Sequence, residues 1–90
     1  MSASVTLSPT AKRDLRRIGP GRDAERIGAA LRALGAGQED LDIKALTSLP
    51  GWLQLRVGDW RVIYRAHEGG WIVARIVNRR DLMAAVRTLP

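Results

Sequence analysis

Between Trp52 and Val77 the chain falls into three runs rich in β-branched and aromatic residues: Trp52 to Val57, Trp60 to Ala66 and Trp71 to Val77. The breaks between them, Gly58-Asp59 and His67-Glu68-Gly69-Gly70, carry the residues that tight hairpin turns demand. Connections this short join antiparallel strands, so the second half of the chain reads as a meander. Before Pro50-Gly51 the hydrophobic period is helical instead. Ala11, Leu15 and Ile18 share one helix face, and Ala24, Ile27, Leu31 and Leu34 share another. Ser8 caps the first helix and Pro9 takes its first position, where a missing N–H costs nothing. Gly19-Pro20-Gly21 stops it, and the second helix runs from Arg22 to Leu34, ended by Gly35 and Gly37. The two form a helical hairpin.

Ser4 to Leu7 reads as a short first strand, with Val5 and Leu7 on one face. Gln38 to Gly51 is a connector pinned by Leu41, Ile43, Leu46 and Leu49, and Arg79 to Leu89 reads as a short terminal helix. The order β-α-α-β-β-β-α predicts an α+β fold, an antiparallel sheet with the helical hairpin packed on one face. At 90 residues, without repeats or linkers, the chain is expected to form a single domain over residues 1–90.

Composition narrows the chemistry. With no Cys there is no disulfide, thiolate nucleophile or Cys-based zinc site, and the lone His67 excludes a multi-histidine metal centre. No metal or cofactor is therefore expected. No run approaches the ~20 apolar residues of a membrane span, and the first residues lack the apolar core of a signal peptide. A cytoplasmic protein without a membrane partner is expected. Lys and Arg number 15 against 9 Asp and Glu, giving +6, which suits a polyanion or an acidic protein as partner. Arg dominates, and its planar fork donates two parallel bonds to a phosphate.

Strand alternation places these charges. Leu53, Leu55, Val57, Val62, Tyr64, Ile72, Ala74 and Ile76 are expected to face the helices. Trp52, Gln54, Arg56, Arg61, Ile63, Arg65, Trp71, Val73, Arg75 and Val77 are then expected to face outward. That face gathers four arginines with tryptophans at its border, the combination that grips phosphates and stacks on bases of single-stranded nucleic acid. An antiparallel sheet also commonly leaves one polar face in water, with no further role. Arginines can also stabilise the charge that builds when a 2′-hydroxyl attacks the neighbouring phosphate. No acid–base pair accompanies them, and His67 is expected to be an exposed hairpin-tip residue.

The segment Leu55-Arg56-Val57-Gly58-Asp59-Trp60-Arg61-Val62-Ile63-Tyr64 resembles the signature "LRVGDYRVIY" of the RelE/ParE toxin superfamily. Ile76-Val77-Asn78-Arg79-Arg80-Asp81 is similar to that family's "VGHRRDVY" ending, and Val5 to Ala11 and Lys44-Ala45-Leu46 also fit. The pair Arg79-Arg80 leans toward the RelE-like branch. The resemblance implies the toxin of a bacterial type II toxin–antitoxin pair, a ribosome-dependent endoribonuclease that cuts messenger RNA in the A site. It implies as partners an acidic antitoxin, the ribosome and its message, and operator DNA reached only through the antitoxin complex. By position, Arg61 matches the arginine on the scissile phosphate and Arg80 the catalytic arginine after the last strand. Arg79 is its basic neighbour, and Arg56 fits a strand position that is often basic. Gln54 and Trp52 stand where some RelE enzymes carry lysines. Together with Arg65 and Arg75 they complete the expected RNA-binding set. Met83 and Asn78 stand where the family often has Tyr and His. Those departures leave room for two alternatives, a ParE-type toxin that inhibits gyrase without catalysis, or a weak toxin retained as antitoxin partner and co-repressor.

Overall fold

A computed structural model describes residues 3–90. The elements are β1 (Val5–Leu7), α1 (Pro9–Ile18), α2 (Arg22–Gly35), β2 (Ile43–Ala45), β3 (Trp52–Val57), β4 (Trp60–His67) and β5 (Gly70–Asn78). A 3-10 turn over Arg79–Asp81 leads into α3 (Leu82–Arg87). The strands form one sheet in the order β1-β5-β4-β3-β2. The expected α+β layout holds, with two refinements. The sheet is mixed, because β1 lies parallel to β5 with Val5 opposite Trp71. The connector also contributes an edge strand, β2, in which Ile43 is exposed rather than pinned inside.

Each helix of the hairpin starts and stops for local reasons. Ser8 Oγ accepts from the Ala11 N–H at 3.0 Å, capping α1, and donates to the Ala74 carbonyl of β5 at 3.0 Å. One hydroxyl thus begins the helix and fixes it to the sheet. α2 has no side-chain cap, but Asp23 and Glu25 in its first turn complement the helix dipole. The inward residues of the hairpin, Ala11, Ile27 and Leu34, are buried with Leu55, Val62, Tyr64, Val73 and Ile76 in the main core.

The expected alternation holds on β3 and β4 and breaks on β5. A bulge falls where Ile63 and Tyr64 of β4 pair with Arg75 and Val73, leaving Ala74 unopposed. One extra residue inverts the phase of the strand, since side chains alternate with period two. Trp71 and Val73 therefore lie on the helix-bearing face, where Trp71 meets Tyr64 edge-on with ring centroids 5.3 Å apart. Ala74 packs on the opposite side. Ile76 and Val77 keep their expected sides.

That opposite face is not simply open to water. Trp52, Ile63 and Val77 form a second cluster there with Leu46 and Ala85, against which Leu49, Leu82, Val86 and Leu89 pack. The apolar side of α3 and the loop before β3 cover what alternation left as a polar surface. No helix among the described residues is long and apolar enough to cross a membrane.

Candidate nucleic-acid interface

Three arginines, two from one hairpin and one from the turn after β5, meet at one end of the sheet, because register puts them there. In the β3–β4 hairpin Arg56 stands directly opposite Arg61, and in the β4–β5 pair Trp60 stands opposite Asn78. The chain leaving β5 is thereby drawn back to the Gly58-Asp59 turn, and the Arg79 N–H donates to the Asp59 carbonyl at 2.7 Å. Like charges facing across a hairpin oppose pairing. Two acids offset them only loosely: Arg56 Nε lies 3.7 Å from Asp42, and Arg79 Nε lies 3.6 Å from Asp59. Both pairs are open to water, where such contacts contribute little.

Arg61 is the buried member, only 8% exposed. Its Nη1 donates to the carbonyls of Gly58 at 2.8 Å and Trp60 at 2.9 Å. Burial first, then the charges of Arg56 and Arg79, push its pKa below the ordinary value, while Asp42 and Asp59 act the other way. It remains a cation at neutral pH. Nε and Nη2 make no hydrogen bond among the described residues, yet no buried side-chain nitrogen there lacks a partner. These two N–H groups therefore reach solvent, and their shared edge is the one that binds a phosphate bidentately. The turn itself carries a fourth cation that sequence reading missed. Gly58 has φ +58, and the guanidinium of Arg26 from α2 lies about 2.9 Å from where a Cβ would stand. Nothing in the helical periodicity of α2 signals that contact.

Other expected residues sit apart from this cluster. Arg65 lies over the Trp52 ring, 5.4 Å from its centroid, directly opposite it across β3–β4. Trp52 is buried in the second apolar cluster, so it is a core residue capped by Arg65 rather than a free stacking platform. Gln54 lies half-buried between Lys44 and Ile63. The outward placement of Arg75 also needs correction. Beyond Leu7, β1 no longer covers β5, and α1 runs beside this bare edge. Asp14 of α1 accepts there from the Ile76 backbone N–H at 2.9 Å and from Arg75 Nε and Nη2 at 2.9 and 3.2 Å. The hydrogen bond to Asp14 holds the Arg75 pKa above its ordinary value. Trp71, expected at the border of the outward face, lies on the helix side as described above.

Arg80 is exposed and has no acidic partner within ion-pair distance among the described residues. It lines an open cleft of about 510 Å³ between α1, the end of β5 and α3. Asn78 caps the 3-10 turn, its Oδ1 accepting the Arg80 N–H at 3.2 Å. Met83 is 66% exposed. His67 Nε2 lies 3.7 Å from Glu68, at the far end of the β4–β5 hairpin from the arginine cluster. No group of three or more Asp, Glu or His among the described residues could hold a metal.

An open five-stranded sheet backed by a helical hairpin defines a class of small α+β proteins, and solved structures share that fold. The RelB–RelE antitoxin–toxin complex of Methanococcus jannaschii matches with a TM-score of 0.73 at 21% identity, covering 88% of this chain and 95% of that one. The Escherichia coli DinJ–YafQ complex matches with a TM-score of 0.74 at 17% identity, covering 89% and 97%. The RelE–RelB complex of Pyrococcus horikoshii OT3 matches with a TM-score of 0.69 at 20% identity, covering 88% and 97%. No curated protein matches the sequence. Residues 5–83 match the ParE toxins of type II toxin–antitoxin systems, and the chain belongs to that family. The resemblance to the RelE/ParE superfamily is thus borne out, by the family match and by a fold shared with RelE and YafQ.

Proposed function

We propose that this toxin acts on translation as a ribosome-dependent endoribonuclease, with the arginine end of the sheet as its phosphate-binding surface. The observation that carries the reading is Arg61. Its guanidinium is fixed through Nη1 to two turn carbonyls, while the Nε and Nη2 edge remains available between two further arginines. In strand scission the 2′-oxygen forms a bond to phosphorus as the 5′-oxygen leaves, giving a 2′,3′-cyclic phosphate. The 2′-hydroxyl loses its proton and the departing oxygen gains one. Charge grows on the non-bridging oxygens, and a fork that does not have to reorganise stabilises it more than the ground state. Arg61 holds the scissile phosphate, Arg56 and Arg79 hold its neighbours, and Arg80 supports the leaving side. The acids beside the cluster, Asp42 and Asp59, face Arg56 and Arg79, and no His or Tyr joins them there among the described residues, so solvent or ribosomal groups carry these protons.

Purified toxin added to programmed ribosomes should cut the message in the A site. Arg61→Ala should lower the cleavage rate by about 10²–10³, the usual loss for one oxyanion donor. Intact message with the wild-type toxin rejects the reading. A second reading, inhibition of gyrase without catalysis, is favoured by the ParE family match and by exposed Met83 where a tyrosine would serve proton transfer. A supercoiling assay separates the two. Growth that continues after induction without antitoxin would mark a weak toxin kept as co-repressor. In each case the toxin works in the cytoplasm and binds an acidic antitoxin, as its +6 charge and the antitoxin complexes of its structural neighbours support. Operator DNA is reached only through that complex.

A further inference from the structure

The cleft between α1, the bare edge of β5 and α3 is unused by the chemistry above except at its rim, where Arg80 stands. Its walls are of two kinds. Ile18, Ile76 and the partly exposed Trp60 supply an apolar and aromatic side, and Arg17, Arg75 and Arg80 supply guanidiniums from three different elements. Arg75 differs from the other two. Asp14 binds its Nε and Nη2 and is itself held by the Ile76 N–H, so the plane of that guanidinium is fixed before any ligand arrives. Its Nη1 makes no hydrogen bond among the described residues, and an anion bound there orders no long side chain. Arg17 and Arg80 have no acidic partner within ion-pair distance among the described residues. With Asp14 matched by Arg75, Asp81 is the one acid in the cleft set against those two cations.

We propose that this cleft is a nucleotide subsite, taking one nucleotide unit with its phosphate on the guanidiniums and its base against the Trp60 wall. A bare anion would need only the arginines, whereas an apolar ligand would gain nothing from three cations. The volume of about 510 Å³ accommodates one nucleotide and not a helix or a duplex. The chain path supports continuity with the scissile site. Arg79 reaches Asp59 in the arginine cluster and its neighbour Arg80 lines the cleft, so one strand can touch both. That the nucleotide belongs to the cut RNA strand rests on the ribonuclease reading; the subsite itself does not.

The test is binding of AMP and UMP to the whole chain at low salt, followed by amide and indole NMR shifts, with adenosine and inorganic phosphate as controls. Shifts should concentrate at Trp60, Ile76 to Arg80 and Asp14, and the nucleotides should bind about tenfold more tightly than phosphate alone, the value of one added good contact. Arg80→Gln and Arg17→Gln should each weaken AMP by about tenfold without altering the melting transition. Trp60→Phe should weaken AMP and leave phosphate binding unchanged. Equal affinity for AMP and phosphate, or shifts outside the cleft, overturns the subsite. Message cleavage with no AMP in the cleft overturns the subsite and leaves the ribonuclease standing. AMP in the cleft with no cleavage does the reverse.

Discussion

Asp14 has the most concentrated role of any single side chain. It is 7% exposed and accepts three hydrogen bonds that join α1 to the uncovered edge of β5. A strand edge needs a partner for its N–H groups, and a carboxylate from a helix here replaces a neighbouring strand. Asp14→Ala removes that acceptor and leaves Arg75 and the Ile76 amide unpaired. Urea denaturation should show a loss of roughly 2–4 kcal/mol, with faster amide exchange at Ile76. Tyr64, 1% exposed, gives a second prediction at this scale. Burial raises its pKa above the ordinary 10.0, because the phenolate would lose its hydration. The unfolded chain then releases this proton at lower pH than the folded one. The contribution is intact below pH 10.0 and declines as pH rises toward the folded value. Urea midpoints of wild type and Tyr64→Phe should run parallel at neutral pH. Above that point the wild type should lose stability faster, by at most about 1.4 kcal/mol per pH unit.

At the scale of elements, the helical hairpin and the three long strands were legible because each carries its own period and its own stops. Ser8-Pro9, Gly19-Pro20-Gly21 and Gly58-Asp59 are local signals and stand where they were read. What sequence did not reveal is non-local. β2 is three exposed residues whose strand character comes only from pairing with β3. The bulge at Ala74 depends on two strands at once, and it moved Trp71 and Val73 across the sheet. The Asp14–Arg75 bond spans 61 residues, and the inward turn of Arg61 follows from carbonyls that exist only once the hairpin closes. The parallel seating of β1 has a requirement that can be tested. Gly70 lies against the Ser4 backbone so closely that any Cβ would drive the two strands apart. Gly70→Ala should destabilise by about 1–3 kcal/mol. It should also expose the Trp71 amide, which now donates to the Ser4 carbonyl at 2.8 Å, to rapid hydrogen exchange.

For the whole molecule the relevant quantity is how charge is distributed over the two ends of the sheet. The Gly58 end holds Arg26, Arg56, Arg61 and Arg79, whereas the Gly70 end holds exposed His67 and Glu68. A net charge of +6 attracts any polyanion, so affinity alone does not identify the surface that binds. The salt dependence does, because each phosphate neutralised on a single strand releases condensed counterions and contributes about −0.7 to the slope of log K against log salt. Four arginines at one end predict a slope of about −3 for a short single-stranded RNA, read by anisotropy from about 50 to about 300 mM KCl. Arg79→Gln should bring the slope to about −2, since one contact is lost. Arg32→Gln, which removes the same charge from the last turn of α2 near Val5, should leave the slope unchanged even though the net charge falls equally. If the two variants flatten the slope alike, the RNA responds to total charge and the arginine end has no special role. If only Arg79→Gln does so, a common electrostatic attraction has been localised to the end of the sheet where Arg61 presents its free edge.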